Sequence, residues 1–522
     1  MPVALDARRD LDFSRMLEST GIDASRERLP HAVVIGSGFG GLAAAIRLGA
    51  RGYRVTVLEQ LDAPGGRAYV FRQDGFVFDA GPTIITAPFL LEDLWRLCDR
   101  RLEDDIELKA LRPFYRIRFD DGAILDCSDD DQAMAEQINR FAPEDLEGYR
   151  RFLDASEAIY RVAFEQLAHA PFHSLTGMLR LAPALVRLRS YRSVYGFAAS
   201  FVKHPRLRFA LSFHPLFVGG NPFTTTSIYG LIAFLERRFG VHCVRGGTGA
   251  LVNGLAKLIE GQGNQIRYNA RVNAITTTGR RATGIRLSSG EEIASDIVVS
   301  NADSAATYGD LVPAHLRHRW TERKLKRASY SMSLFVWYFG TSRCYPQVPH
   351  HTILVGPRYR ELLRDIFDRK ILAQDFSLYL HRPTASDESL APPGCDAFYV
   401  LSPVPDLHGV TDWHRESETY RRAIARALSG SVLPGFEDTI VSSRVMTPLD
   451  FRDRLLSYHG AAFGLAPTLS QSAWFRPHNR SEEIDGLYLV GAGTHPGAGV
   501  PGVLSSARVL DRVVPDARSR QL

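Results

Sequence analysis

The stretch His31–Glu59, HAVVIGSGFGGLAAAIRLGARGYRVTVLE, decides how this chain folds. Ala32 to Ile35 is a short apolar run, as expected of a buried strand. Gly36, Gly38 and Gly41 follow in G-x-G-x-x-G order, and Leu42 to Leu48 keeps a helical spacing that Gly52 ends. Tyr53 to Leu58 is a second apolar run, closed by Glu59. Each part has a physical task. Gly36 permits the tight turn, Gly38 lets backbone approach a pyrophosphate, and Gly41 lets helix and strand pack closely. The helix N-terminus turns its unpaired N–H groups and positive dipole end toward the phosphates. Glu59 is placed to accept hydrogen bonds from a ribose diol, and an acid there disfavours the 2′-phosphate of NADP. Strand, loop, helix, strand and acid fall in register. The expectation is an α/β chain with a Rossmann-type dinucleotide domain.

A second glycine-rich turn lies at the other end, in GLYLVGAGTHPGAGVPGVLSSARVL, residues 486–510. It reads as a strand over 487–490, a loop, and a helix reached after Pro501 and Gly502. Gly491 and Gly493 are present, but Pro496 stands where the third motif glycine belongs. No later strand ends in an acid, so this is no second dinucleotide site. A long dinucleotide needs another wall beyond one βαβ unit. Gly491, Gly493 and Gly502 are therefore expected to hold the same cofactor from the opposite end of the chain. Just past Glu59 comes Pro64-Gly65-Gly66-Arg67-Ala68, followed by GFVFDAGPTII. This second glycine pair resembles the FAD-binding superfamily of amine oxidases and carotene desaturases. The resemblance implies that Gly65 and Gly66 lie along FAD, that Arg67 approaches its pyrophosphate or flavin edge, and that the strand around Val272 lies near adenine.

The 522 residues suffice for two or three domains. A net charge of +5 is mild, and no nucleic-acid partner is expected. The five cysteines are scattered without a C-x-x-C pair, which fits buried residues in a reducing compartment. No apolar run survives in residues 1–30, so they read as an arm without a signal peptide. The sequence holds no Ser-His-Asp order and no H-E-x-x-H. His350 and His351 are adjacent, and adjacent residues rarely share a metal, so no metal site is expected. With no second fingerprint for NAD, the redox chemistry falls to the flavin.

Pro171 to Leu235 differs in kind. Arg180, Arg187, Arg189, Arg192, Lys203, Arg206 and Arg208 occur there with no Asp or Glu, among many Phe, Leu and Tyr. Basic plus apolar without acids is the composition of a surface lying on anionic lipid. Phe209 to Leu235 carries no charge, but Pro215, Gly219, Gly220 and Pro222 interrupt it. A lipid-facing or substrate-lining hairpin is expected rather than a spanning helix.

PGGRAYVF (64–71), FDAGPTIIT (78–86), LFVGGNPFTTTSIYG (216–230), RGGTGALV (245–252), VGPRYREL (355–362), DFSLYLHRP (375–383), QSAWFRPHNR (471–480) and YLVGAGTHPGAGVPG (488–502) together resemble the bacterial-type phytoene desaturases. These belong to the carotenoid desaturase family of FAD-dependent, amine oxidase-like flavoproteins. The resemblance spans about Ala32 to Val509. It implies a discontinuous FAD domain (31–103, 241–303 and 476–522), a mixed β-sheet substrate domain (104–143 and 304–475) and a helical membrane-contacting region (144–240). It also implies FAD as the redox cofactor, and phytoene and partly desaturated carotenes as substrates, with neurosporene or lycopene as products. A quinone or oxygen would be the electron acceptor, and attachment would be peripheral, on the cytoplasmic face of a membrane. One position departs from the family pattern. An acid is expected three residues before the arginine that matches Arg180, and Gly177 stands there. Arg180 alone carries over as a candidate catalytic residue. A related carotenoid isomerase, an amine oxidase and a non-catalytic FAD-fold carotenoid binder remain alternative readings.

Overall fold

The computed structural model describes residues 28–517. The arm expected over residues 1–30 lies outside them up to residue 27, as do residues 518–522. Along the chain, β1 (His31–Ile35), α1 (Phe39–Ala50) and β2 (Arg54–Leu58) form the first unit. Two strands, β3 (Tyr115–Arg118) and β4 (Ile124–Cys127), precede the helices α2 (Leu146–Tyr160), α3 (Leu175–Arg187) and α4 (Leu231–Phe239). Then come α5 (Thr248–Gly261), β5 (Gln265–Arg267), β6 (Val272–Thr278), β7 (Arg281–Leu287), β8 (Glu292–Ala294) and β9 (Ile297–Ser300). The rest is β10 (Ser333–Thr341), β11 (His351–Leu354), β12 (Leu378–His381), β13 (Asp396–Val404), β14 (Ile440–Met446), β15 (Leu487–Leu489) and α6 (Val500–Val513).

A parallel sheet in the order β15-β9-β1-β2-β5 joins the two ends of the chain. The late strand β15 does not touch β1, because β9 lies between them. Every residue of β1 is buried, as a central parallel strand covered on both faces requires. Ala32 and Val34 face one core with α1, α5 and α6, through Leu42, Leu251 and Leu510. Val33 and Ile35 face a second core with the three-stranded β6-β7-β8 sheet. Helix α6 starts at Val500 rather than after Gly502, with Pro501 in its first turn. Proline is tolerated there because that N–H has no intrahelical partner.

A mixed seven-stranded sheet, in the order β14-β10-β13-β12-β11-β3-β4, draws on two separate stretches of the chain, 115–127 and 333–446. Its interior strand β10, SLFVWYFGT, second from one edge, is buried throughout. The two-residue alternation sends Phe335, Trp337 and Phe339 to one core and Leu334, Val336 and Tyr338 to the other. Between β4 and β5 in sequence lies the helical region. The hairpin expected over residues 209–235 is instead a series of short helical turns, Pro205–Ala210, His214–Val218 and Ser227–Gly230, leading into α4. Pro215 and the Gly219–Gly220 pair break the chain before any long helix forms. No described helix is long and apolar enough to cross a membrane.

Because α6 completes the core over β1, Leu510→Ala should destabilise the folded chain by about 2–5 kcal/mol, the usual cost of a buried Leu cavity. Leu175→Ala, on an exposed face of α3, should cost little. Chemical denaturation of the two variants beside the parent checks this contrast.

Candidate functional site

A cavity of about 470 Å³ opens beyond the carboxyl ends of β1 and β9, where open α/β sheets bind their ligands. Three chain segments form its glycine-rich end. Gly38 comes from the first loop, Gly65, Gly66 and Arg67 from the second, and Gly491 and Gly502 from the C-terminal turn. Asn301, directly after β9, sits at their junction. A Cβ on Gly40 or on Gly491 would lie 2.5 Å from its Oδ1, so neither position has room for a side chain. Gly491 also has φ +89°, a left-handed backbone suited to glycine. A Cβ on Gly41 would lie 2.0 Å from the Gly36 carbonyl oxygen, so helix and loop touch directly there.

Two helix N-termini meet this cavity. Neither α1 nor α6 has a side-chain cap or an acid in its first turn, and Gly40 and Val500 line the space. Uncapped N–H groups with a positive dipole end form a ready anion site. The half-buried Arg67 guanidinium donates to the Ala462 carbonyl oxygen and Ser457 Oγ. Burial pushes it below its ordinary value, an effect opposed by the nearby Asp303 carboxylate. Arg476 is buried at the same turn, where a Cβ on Gly497 would lie 2.7 Å from Nη1. Its Nε and Nη1 have no hydrogen-bond partner among the described residues. Two cations, two bare helix ends and a glycine cradle fit a dinucleotide diphosphate and a flavin that becomes anionic.

The remaining expected residues fall outside the lining. Glu59 is buried, and Oε2 accepts from Ser37 N (2.8 Å) and Ser37 Oγ (2.6 Å) while Oε1 accepts from Leu61 N (2.9 Å). In this arrangement the acid fixes the glycine loop. Val272 is packed in the core with Leu58, and the turn before it is bound to Glu59 through Ala270 N. Gly493 abuts Ser304, whose Oγ lies 2.5 Å from where a Cβ would stand. Arg180 is exposed on α3, and the structure does not bring it to the cavity.

Away from the glycines the wall is hydrocarbon. Phe213, Leu216, Phe217 and Ile228 come from the charge-free run, and Met178, Leu181 and Leu185 from the inner face of α3. His495 Nε2 pairs with the Leu167 carbonyl oxygen (2.8 Å), tying the C-terminal turn to the helical region. Burial pushes its imidazole down to about 4, so it is neutral. Among the described lining residues the one carboxylate is Glu236, 2% exposed. Its Oε2 accepts from Tyr115 OH (2.8 Å) and lies 3.2 Å from His214 Nε2, while Oε1 has no partner among the described residues.

Sequence reasoning missed Asn301, Arg476 and Glu236. Asn301 follows an apolar strand in VVSNADS (298–304), and its place at a strand end was the available signal. Arg476 sits in QSAWFRPHNR, and Glu236 ends the charge-free run one residue past Leu235. Nothing local marks either of them.

A family model described as flavin containing amine oxidoreductase matches residues 39–509. The chain is 50% identical over 491 residues to a neurosporene-forming phytoene desaturase of Cereibacter sphaeroides, covering 93% of this chain and 95% of that protein. It is 50% identical over 476 residues to a lycopene-forming phytoene desaturase of Pantoea ananas, covering 91% and 97%. Among solved structures, an oxidoreductase of Methanosarcina mazei aligns with a TM-score of 0.61 at 18% identity, covering 92% of this chain and 100% of that one. Cyclohexylamine oxidase of Brevibacterium oxydans aligns at 0.59 and 14%, covering 95% and 100%. These last two speak for the fold alone. A glycine cradle closed from both chain ends, a hydrocarbon wall and half-identity along nearly the full length agree, and the chain belongs to the flavin-containing amine oxidoreductase family, among its bacterial phytoene desaturases.

Proposed function

We propose that this chain is an FAD-dependent oxidoreductase that desaturates phytoene in successive steps to neurosporene or lycopene. The observation that carries the reading is the 50% identity to enzymes named for each of those products. FAD, when bound, supplies the hydride acceptor. Gly38, Gly65, Gly66, Gly491 and Gly502 would let backbone lie along it, with Arg67 and the N-termini of α1 and α6 facing its negative charge. A quinone or oxygen takes the electrons onward.

The substrate explains the wall. Phytoene is a forty-carbon hydrocarbon, and at about 0.8 kcal/mol per buried CH2-sized group its transfer out of water is worth roughly 30 kcal/mol. It offers no hydrogen-bond handle, so shape and length have to select it. Each desaturation removes a hydride and a proton from adjacent carbons. We assign the proton to Glu236, whose Oε1 is free in an otherwise apolar wall, with Tyr115 and His214 as its hydrogen-bonded relay. Such a step depends on alignment and water exclusion.

A substrate this apolar is taken from a bilayer. Helix α3 is suited to the transfer. Its inner residues Met178, Leu181 and Leu185 line the cavity, while Leu179 (61% exposed) and Val186 (63% exposed) face outward. Arg180, Arg187, Arg189 and Arg192 are exposed around them, and the turn Ala473–Phe475 packs beside the helix. We read this face as docking on anionic lipid, with the arginines at the headgroups and the leucine and valine below them. Arg180 on this reading contacts lipid.

In a phytoene-accumulating host, the parent chain should yield neurosporene or lycopene. Glu236→Gln should keep FAD and lower turnover by roughly 10²-fold or more, the scale of a lost general base. Unchanged phytoene in the parent strain would sink the function. Parent-like turnover in Glu236→Gln would remove that residue from the chemistry.

Liposome binding should rise with anionic lipid and fall with salt, because charge attraction is screened beyond about 8 Å at physiological ionic strength. Reversing Arg187, Arg189 and Arg192 to Glu should reduce co-sedimentation without loss of FAD. Unaltered co-sedimentation of that variant would count against α3 as the docking face.

A further inference from the structure

Outside the cavity, the mixed sheet gathers three buried histidines that the reaction does not use. His351 and His381 are direct cross-strand partners on β11 and β12, and His350 precedes β11. One ring nitrogen from each lies within 4.8 Å of the others. Two of the rings are already oriented from behind. His351 Nδ1 is 2.7 Å from Tyr379 OH, and His350 Nδ1 is 2.8 Å from Ser386 Oγ. His351 therefore has Nε2 left to offer, while His350 turns Nε2 toward His381. His350 Nε2 and His381 Nε2 lie 3.0 Å apart and share one hydrogen bond, whose proton an ion would replace. His351 Nε2 and His381 Nδ1 have no partner among the described residues. A buried lone pair without a donor is costly, and a cation at His351 Nε2 removes that cost.

From this geometry we infer a binding site for one divalent transition-metal ion of the zinc class, held by His350, His351 and His381. Imidazole nitrogen is the ligand type such ions take, and an outer hydrogen bond on the second ring nitrogen is the usual support of a metal-bound histidine. Metal–nitrogen bonds of about 2.0–2.1 Å at tetrahedral angles set ligand nitrogens about 3.4 Å apart, so the widest pair has to close by roughly 1.4 Å, a change of ring rotamer. Room for a fourth ligand exists. A small cavity of about 10 Å³ borders His350 and His381, and Asp79 and Asp387 line it too. Those carboxyls offset the Lys109 and Arg382 cations that also face His350, and a water completes the coordination. The consequence reaches the main cavity. Tyr379, which orients His351, is also a lining residue there, and its hydroxyl is 3.2 Å from Thr83 Oγ1. An ion at the histidines would clamp β11 to β12 and fix this part of the substrate wall.

The test uses the full-length, FAD-loaded protein. It is stripped with dipicolinate, dialysed against Zn²⁺ or Co²⁺, and freed of excess metal. One equivalent per chain should be retained, the cobalt form should show four-coordinate ligand-field bands beyond the flavin absorbance, and the zinc form should melt at a higher temperature than the stripped protein. His351→Gln combined with His381→Gln should lose uptake while keeping FAD. Wild-type protein that retains no metal above the buffer background overturns the site, as does undiminished uptake by the folded double variant. Should that variant fail to fold, zinc-edge X-ray absorption of the wild type decides. A nitrogen shell with the scattering of three imidazoles supports the site, and a shell of sulfur or of oxygen alone overturns it.

Discussion

Everything in this molecule depends on the close approach of three chain segments at Asn301. Gly40 stands at the start of α1, Gly491 follows β15, and Asn301 follows β9, which separates β1 from β15 in the sheet. The Asn301 side chain occupies the space that a Cβ on either glycine would need. Two segments more than 400 residues apart in sequence can therefore share one sheet edge and turn two uncapped helix ends toward one cavity. A single βαβ unit is too short to enclose a cofactor of FAD's length. Closing the wall from the other end of the chain solves that problem without a second dinucleotide fold.

The second constraint comes from the substrate. A hydrocarbon gives an enzyme nothing to grip except surface, and it leaves a membrane only if the route is apolar throughout. The charge-free run 209–235 and the inner face of α3 meet this need, as short turns packed side by side. Polar groups are few along the wall, and they are neutral or paired. His495 is neutral and hydrogen-bonded, and Glu236 is bonded through one oxygen. The free oxygen of Glu236 thus stands out chemically in a place where almost nothing else can accept a proton.

How much of this was legible beforehand follows from the range of the interactions. Gly36, Gly38 and Gly41 declare themselves because one local turn needs all three. Gly491 and Gly502 were legible as a second glycine turn, and the failure of that turn to complete a fingerprint identified it as a partner of the first. Asn301 and Arg476 were not legible, since an ordinary Asn and Arg gain their roles only when distant strands meet. Gly493 packs against Ser304 beside a loop that lines the cavity, a contact that no local pattern announces. Arg180 was read from its neighbours in sequence, but the helical twist of α3 turns Met178, Leu181 and Leu185 inward and leaves the arginine outside. His350 and His351 meant little as a pair. Strand pairing brings His381 beside them, and no local pattern announces that.

Anaerobic mixing of the FAD-loaded protein with phytoene in anionic liposomes tests the central claim most directly. Flavin absorbance and carotenoid absorbance are followed together in the same cuvette. The account predicts that the flavin bleaches as the carotenoid spectrum shifts to the red, without any added reductant. A flavin that stays oxidised while the phytoene spectrum stays unchanged would contradict it, as would a carotenoid change that appears only after the flavin has been reduced beforehand.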